Sequence, residues 1–303
     1  MNGIINVYKE PGYTSFDVVA KLRGILHQKK IGHTGTLDPD AEGVLPVCLG
    51  KATKVCELLT DKDKTYRAVC RLGVETDTQD LSGTVLQHYD FSGITSEQLC
   101  RVAESYRGDS MQVPPMYSAL KINGKRLYEL AREGKTVERK PRAIHISDLQ
   151  IQEIDLENRR FCMEVTCSKG TYIRTLCHDI GKALGIGAAM EHLTRTRVDV
   201  FRLEDALRLS EIEQLMADSE EALVDNIWQV DALFPHLPKA QVVADAERLL
   251  ENGNHLPFEG LTGMGESVLK RKDQDQVLVY DSQGDFRAIY VCSDGIYKCK
   301  KMF

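Results

Sequence analysis

Asp38 sits in the run Gly32-His33-Thr34-Gly35-Thr36-Leu37-Asp38-Pro39-Asp40-Ala41-Glu42-Gly43-Val44-Leu45-Pro46, a segment suited to presenting one carboxylate. Pro39 bars its predecessor from helical backbone angles, so Asp38 is pushed toward an extended conformation. Gly32, Gly35 and Gly43 permit turns and close backbone approach on either side. A carboxylate held in this way can attack as a nucleophile if a neighbouring cation keeps it ionised. Asp-Pro is also a common turn initiator, so the assignment needs support from the rest of the chain.

Two other chemistries fit these residues less well. Asp38-Pro39-Asp40 has the spacing of an aspartyl phosphotransferase, which would need magnesium, but it follows His33-Thr34-Gly35-Thr36 and not an apolar strand. Gly50-Lys51 resembles the end of a phosphate-binding loop, yet Ala52 stands where Ser or Thr is required and Gly43 lies too far upstream. The sequence has neither a His-Glu-x-x-His motif nor clustered Cys/His ligands, so no metal is expected. Nine cysteines without a C-x-x-C pair read as reduced, mostly buried thiols of a cytosolic protein.

The elements that must hold Asp38 follow from periodicity. Ile4 to Tyr8 reads as a strand, and Thr14 with Asp17 caps a helix whose apolar side is Val18, Val19, Leu22, Ile25 and Leu26. Thr65 to Leu72 alternates, with Tyr66, Ala68, Cys70 and Leu72 on one face. Ser96 opens another helix, and Phe161 to Cys167 another alternating strand. Gly170-Thr171 then leads into a helix with Ile173, Leu176, Cys177, Ile180 and Leu184 on its buried stripe. Arg174 falls off that stripe; a cation in the first helical turn opposes the macrodipole and needs either a compensating anion or a purpose. Segment 204–238 is acidic and reads as mostly helical, ending in Leu233-Phe234-Pro235-His236-Leu237-Pro238; short strands separated by Gly284 and Gly295 follow.

The 303 residues, 42% of them hydrophobic, suit one large domain plus a small one. Charge interrupts every apolar stretch well short of the roughly 20 residues needed to span a bilayer, and the start of the chain has no basic-then-apolar leader. A cytoplasmic protein with no membrane partner is therefore expected. The net charge of −6 argues against nucleic acid only until it is divided along the chain. Residues 1–203 carry 29 Lys and Arg against 26 Asp and Glu, whereas 204–238 carry 1 against 9. Lys121, Lys125, Arg126, Arg132, Lys135, Arg139, Lys140 and Arg142 face only Glu129, Glu133 and Glu138. Such a run is either a solvated face or a grip for phosphates.

Ordered blocks across residues 3–203 resemble the TruB family of tRNA pseudouridine synthases. The Asp38 run resembles the family's G-H-x-G-T-L-D-P-x-A-x-G-x-L-P. Tyr8-Lys9-Glu10-Pro11-Gly12-Tyr13-Thr14-Ser15 resembles its opening K-P-x-G-x-T-S, with Glu10 where Pro usually follows Lys. Asp63 to Arg67 with Leu72 to Asp80, Pro114 to Lys121 with Gly124 to Tyr128, Cys167 to Leu176, and His192 to Thr196 resemble the later blocks.

The resemblance implies an α/β (α+β) fold with a mainly antiparallel mixed central sheet and a small C-terminal β-rich, PUA-like module. It implies a catalytic domain over 1–236 with a basic RNA-gripping insertion at about 118–143, and an RNA-binding module over 237–303. The implied reaction turns the T-loop uridine at position 55 of tRNA into pseudouridine, by a monomer needing no cofactor or small molecule besides the tRNA T-arm. Asp38, Tyr66 and Arg174 would be catalytic: the attacking carboxylate, an aromatic face whose hydroxyl helps to move the C5 proton, and the cation that keeps Asp38 ionised. His33 would fill the gap left by the flipped base, Tyr172 would touch the base, Leu193 would form a dry wall, and Asp80 would support the site or contact RNA. Lys125, Arg126, Lys135 and Arg139 would hold phosphates. The alternative is a non-catalytic protein that binds and remodels tRNA.

Overall fold

The computed structural model describes residues 1–90, 93–122, 124–265, 267–270 and 272–303. The first half of the chain lays down β1 (Gly3–Lys9), α1 (Ser15–Ile25), β2 (Ile31–His33), β3 (Glu42–Leu49), α2 (Cys56–Thr60), β4 (Lys64–Leu72), β5 (Val74–Thr76) and β6 (Val85–His88). Next come α3 (Ser96–Glu104), β7 (Gly108–Gln112), β8 (Lys121–Ile122), β9 (Lys125–Arg126), α4 (Leu127–Arg132), β10 (Arg142–Asp155) and β11 (Arg160–Cys167). Then follow α5 (Ile173–Ala183), β12 (Ala188–Val198), β13 (Phe201–Arg202), α6 (Leu209–Asp218), α7 (Glu220–Val224) and β14 (Ile227–Trp228).

The large sheet runs β14-β1-β3-β12-β4-β11-β10-β7, with β2 added to β3 and β13 to β12. Among the described residues its ladders are antiparallel except β3–β12, where Thr194 pairs with Glu42 and Arg195 with Gly43. The mainly antiparallel mixed sheet implied by the resemblance is therefore present. Gly43 makes the parallel junction possible: at φ +103°, a Cβ there would stand 2.3 Å from the Arg195 carbonyl oxygen. On one part of the sheet α3 and α5 bury Leu99, Ala103, Ile173, Leu176, Cys177 and Ile180 against β4, β10 and β11. On another, α1, α6 and α7 bury Val18, Leu22, Ile212 and Leu223 against β1 and β3. Two core layers thus clamp the strands that carry the site.

Local signals hold where they were strong. Thr14 and Asp17 form the expected capping box on α1, worth about 1 kcal/mol. The acidic segment after residue 204 is less helical than expected, since α6 and α7 span short stretches and 3-10 turns add only Leu203–Asp205 and Val230–Leu233. Beyond Lys239 the chain forms a second, six-stranded sheet that holds its own core, including Val277, Val279, Ala288, Tyr290 and Tyr297. This sheet docks through Phe286 and Phe303 onto a cluster that includes Val230 and Leu233. Lys239 and Tyr280 both reach the Asp231 carboxylate across the junction, at 3.2 and 2.6 Å. Among the described residues no helix is long and apolar enough to cross a membrane.

Candidate active site

The loop between β2 and β3 carries Asp38 to the start of α5, and Arg174 in the first turn of that helix meets it. Arg174 Nε lies 3.0 Å from Asp38 Oδ2, and its Nη2 donates to Asp38 Oδ1 at 3.4 Å. The same guanidinium donates from Nη1 to the Thr78 carbonyl at 3.1 Å and to Asp80 Oδ2 at 3.3 Å, and from Nη2 to the Tyr117 carbonyl at 2.8 Å. The two terminal nitrogens thereby make four hydrogen bonds, and Nε faces Asp38 as an ion pair. Arg174 was expected off the buried stripe of its helix, but it is only 6% exposed. Helical periodicity locates the core face; it cannot show that the turn at 78–80 and the Tyr117 segment cover the other side.

Asp80 is fixed independently of Arg174. It accepts hydrogen bonds from Thr78 Oγ1 at 2.7 Å, Ser82 Oγ at 2.6 Å and the Ser82 amide at 3.1 Å. Burial pushes the Asp38 carboxyl above its ordinary range, against the pull of Arg174, and the Asp80 charge pushes it further. Arg174 does pull the Asp38 value down, but one arginine is shared by two carboxylates in a desolvated site and burial outweighs it. A sign follows for pH: a reaction that needs ionised Asp38 slows as pH falls through this raised value. Asp80→Asn removes the like charge, lowers the Asp38 value and moves the acid limb of the single-turnover rate to lower pH. A limb that stays in place or moves up would show that Asp38 is not the titrating group.

Behind the loop, Lys9 is fully buried and its Nζ donates to the carbonyls of Pro39 at 2.9 Å, Ala41 at 2.5 Å and Glu10 at 3.2 Å. Burial lowers its pKa to about 8 although Asp38 and Asp40 pull upward. Glu10, the residue at the usual proline position, leaves this clamp in place and pairs its carboxylate with Arg208 at 2.6 Å.

Tyr66 on β4 stands opposite Arg195 on β12, and Leu193, two residues back on the same face, is 6% exposed within the main core cluster. The Asp38 charge acts on both Tyr66 and Tyr172, raising their hydroxyl pKa values along with burial. Tyr172 caps α5, held by a two-way bond in which Gln112 Nε2 donates to its carbonyl at 3.0 Å and its amide donates to Gln112 Oε1 at 2.8 Å. His33 Nδ1 accepts the Gly35 amide at 3.3 Å, which leaves the ring proton on Nε2; burial lowers its pKa and favours the neutral ring.

Asp38, Arg174, Asp80, Tyr66, Tyr172 and Leu193 therefore converge on one site, with His33 at the entrance to the loop. The basic excursion is rooted at that site but extends away from it. Lys125 and Lys135 both pair with Glu133, at 3.2 and 2.7 Å, and Arg126 lies over the Tyr128 ring at 5.8 Å. Arg139 is half-buried and donates to the Pro114 carbonyl at 3.1 Å. Sequence reasoning gave Lys9 and Arg195 no function, and nothing in their residue types marked them as buried. Among the described residues no group of three or more His, Cys, Asp or Glu side chains could hold a metal ion.

The sequence profile of the TruB family pseudouridylate synthase N-terminal domain matches residues 23–173, and that of the tRNA pseudouridylate synthase B C-terminal domain matches 174–235. The tRNA pseudouridine synthase B of Lachnoclostridium phytofermentans is 51% identical across 100% of both chains. The chain belongs to the TruB family. A second TruB relative, from Oceanobacillus iheyensis, is 41% identical over 96% of this chain and 92% of its own. Among solved structures, a chain of a Cbf5-Nop10-Gar1 complex matches with a TM-score of 0.72 and 28% identity, covering 99% of this chain and 84% of that one. A chain of an H/ACA RNP bound to a substrate RNA containing 2'-deoxyuridine has the same TM-score at 26% identity and the same coverage. The two TruB profiles divide between Ile173 and Arg174, inside the first turn of α5, so that division is not a structural boundary.

Proposed function

We propose that the chain is a tRNA pseudouridine synthase that isomerises the T-loop uridine at position 55 without a cofactor. The observation that carries this reading is the Asp38–Arg174 fork set beside Tyr66 and Leu193 in a member of the TruB family. The target base must leave the T-loop stack at a cost of a few kcal/mol, and a neutral His33 suits the gap it leaves. Asp38 supplies the charge that opens the glycosidic bond while Leu193 keeps water from the sugar carbon. The uracil then turns and rejoins through C5, and the C5 proton passes to Tyr66.

In this reading residues 1–236 form the catalytic domain, and residues 237–303 are a PUA-like module that extends the RNA grip by backbone contacts that position without specifying sequence. The protein acts as a cytoplasmic monomer on the tRNA T-arm. Tritium release from C5-labelled uridine in unmodified tRNA, with the modified position mapped, tests the reading. Release mapped to position 55 supports it; tight tRNA binding without release would favour the non-catalytic alternative.

The phosphate grip has its own test. Neutralising Lys125, Arg126, Lys135 and Arg139 together weakens tRNA binding and leaves the single-turnover rate at saturation nearly intact. Each lost phosphate contact reduces the log–log salt slope of affinity by about 0.7 to 0.9. Arg139, half-buried at the root of the excursion, contributes least to that change. An unchanged slope would make the excursion an ordinary solvated face.

A further inference from the structure

Arg195 is among the largest fully buried side chains of the protein, at 1% exposure, and among the described residues no carboxylate pairs with it. An interior guanidinium is costly unless its donors and its charge are both answered. Its Nε donates to the Val44 carbonyl at 2.7 Å and its Nη2 to the Gly35 carbonyl at 3.2 Å, so it holds both flanks of the loop that carries Asp38. Gly35 admits this approach, since a Cβ there would stand 3.7 Å from Arg195 Nη1. The acidic side chain nearest to that charge across the ladder is the phenol of Tyr66, its direct cross-strand partner. Two register shifts in β12, after Met190 and after Arg195, bracket the stretch that aims Leu193 and Arg195 at the site.

Resting on the function proposed above, we propose that Arg195 is a positioning residue for proton removal at C5, set across from Tyr66 so that its charge lowers the cost of the Tyr66 anion that receives that proton. After the uracil has rejoined the sugar through C5, that carbon carries both the sugar and its original hydrogen. The C5–H bond breaks and the proton passes to the Tyr66 oxygen. The electron pair left behind re-forms the C5–C6 double bond, and the pair displaced from the C6–N1 double bond settles on N1, which takes a proton from water. Tyr66 returns its proton to water before the next turnover.

Burial on balance disfavours an anion at that oxygen, and Arg195 is the charge that works against burial. Arg195 offsets the upward push of burial on the Tyr66 hydroxyl, and its charge also acts on Lys9, His33 and Lys64, all pushed toward their neutral forms. Asp38 and Cys167 act on Tyr66 in the opposite sense. A lysine in place of Arg195 would keep the charge but could not reach Tyr66 and both loop carbonyls with one planar fork.

The test uses full-length protein and unmodified tRNA carrying deuterium at C5 of the target uridine, in single turnover. The set is wild type, Arg195→Lys, Arg195→Met, Tyr66→Phe and the Arg195→Met/Tyr66→Phe double variant. Arg195→Met should slow product formation by about 10²- to 10³-fold, within the range of a lost proton-transfer partner. Its isotope effect should exceed that of wild type, because C5–H cleavage becomes the slow step. Arg195→Lys should recover part of the rate, and the double variant should be no slower than Tyr66→Phe alone. An unchanged isotope effect with multiplied losses in the double variant would overturn the proposal and leave Arg195 as a brace for the loop. If Arg195→Met fails to fold, the isotope effect of Arg195→Lys decides in the same way. A wild-type protein that makes no pseudouridine would instead sink the parent reading, before any variant is compared.

Discussion

Asp38→Asn is expected to lower single-turnover pseudouridine formation by at least ~10⁴-fold, a rise of more than roughly 5 kcal/mol in the activation barrier. The argument separates charge from shape. Asparagine preserves the side-chain outline in a loop clamped by Lys9 at Pro39 and Ala41, so the fold and the RNA affinity should survive. One N–H of Arg174 would lose its acceptor, at a cost near 1 kcal/mol in stability. Asp38→Glu is the complementary variant: it keeps the charge but moves it by one methylene, and misplacement on the order of 1 Å is enough to cost about 10²-fold. The expected ranking is wild type, then Glu, then Asn. Turnover by the Asn variant within tenfold of wild type would remove Asp38 from the chemistry.

Much of this site was legible in the sequence because its signals are local. Pro39 and the flanking glycines marked a loop, the Thr14/Asp17 spacing marked a helix start, and Tyr66 fell on the apolar face of an alternating strand. The large sheet was not legible in the same way. Periodicity read β1, β4 and β11; among the strands it missed, β3, β10 and β12 show why. β3 is buried along nearly its whole length and does not alternate. β10 and β12 carry register shifts that break the period of two. The shared parallel junction of β3 and β12 is a long-range pairing that no local window contains.

Buried cations were the other blind spot. Lys9, Lys64, Arg174 and Arg195 are all 6% exposed or less, where composition rules place such residues on the surface. Lys9, Lys64 and Arg195 donate mainly to backbone carbonyls, and those partners are set by tertiary structure and leave no trace in residue type. The anomaly visible in sequence was Arg174 opposing its helix dipole, and it pointed correctly to a nearby anion.

That anomaly sets up the second large effect. Arg174→Lys keeps a positive charge but offers three donors in place of five, and they radiate from a point where the guanidinium lies in a plane. At most three of the acceptors on Asp38, Asp80, Thr78 and Tyr117 could then be served. With the residue 6% exposed, solvent cannot replace the lost partners, and leaving one buried acceptor unpaired costs about 1 to 3 kcal/mol. The lost fork also frees Asp38 to rotate, and Tyr117 at the root of the basic excursion loses its tie to the site. We expect stability to fall by about 2 kcal/mol and the single-turnover rate at saturating tRNA by about 10²- to 10³-fold, the loss expected when a reacting group is no longer held in line. Denaturant unfolding and rapid-quench assays on the same preparation separate the two effects. If the lysine variant lost stability but kept its rate, Arg174 would be a structural strut and the carboxylate it grips would be oriented by the Lys9 clamp alone.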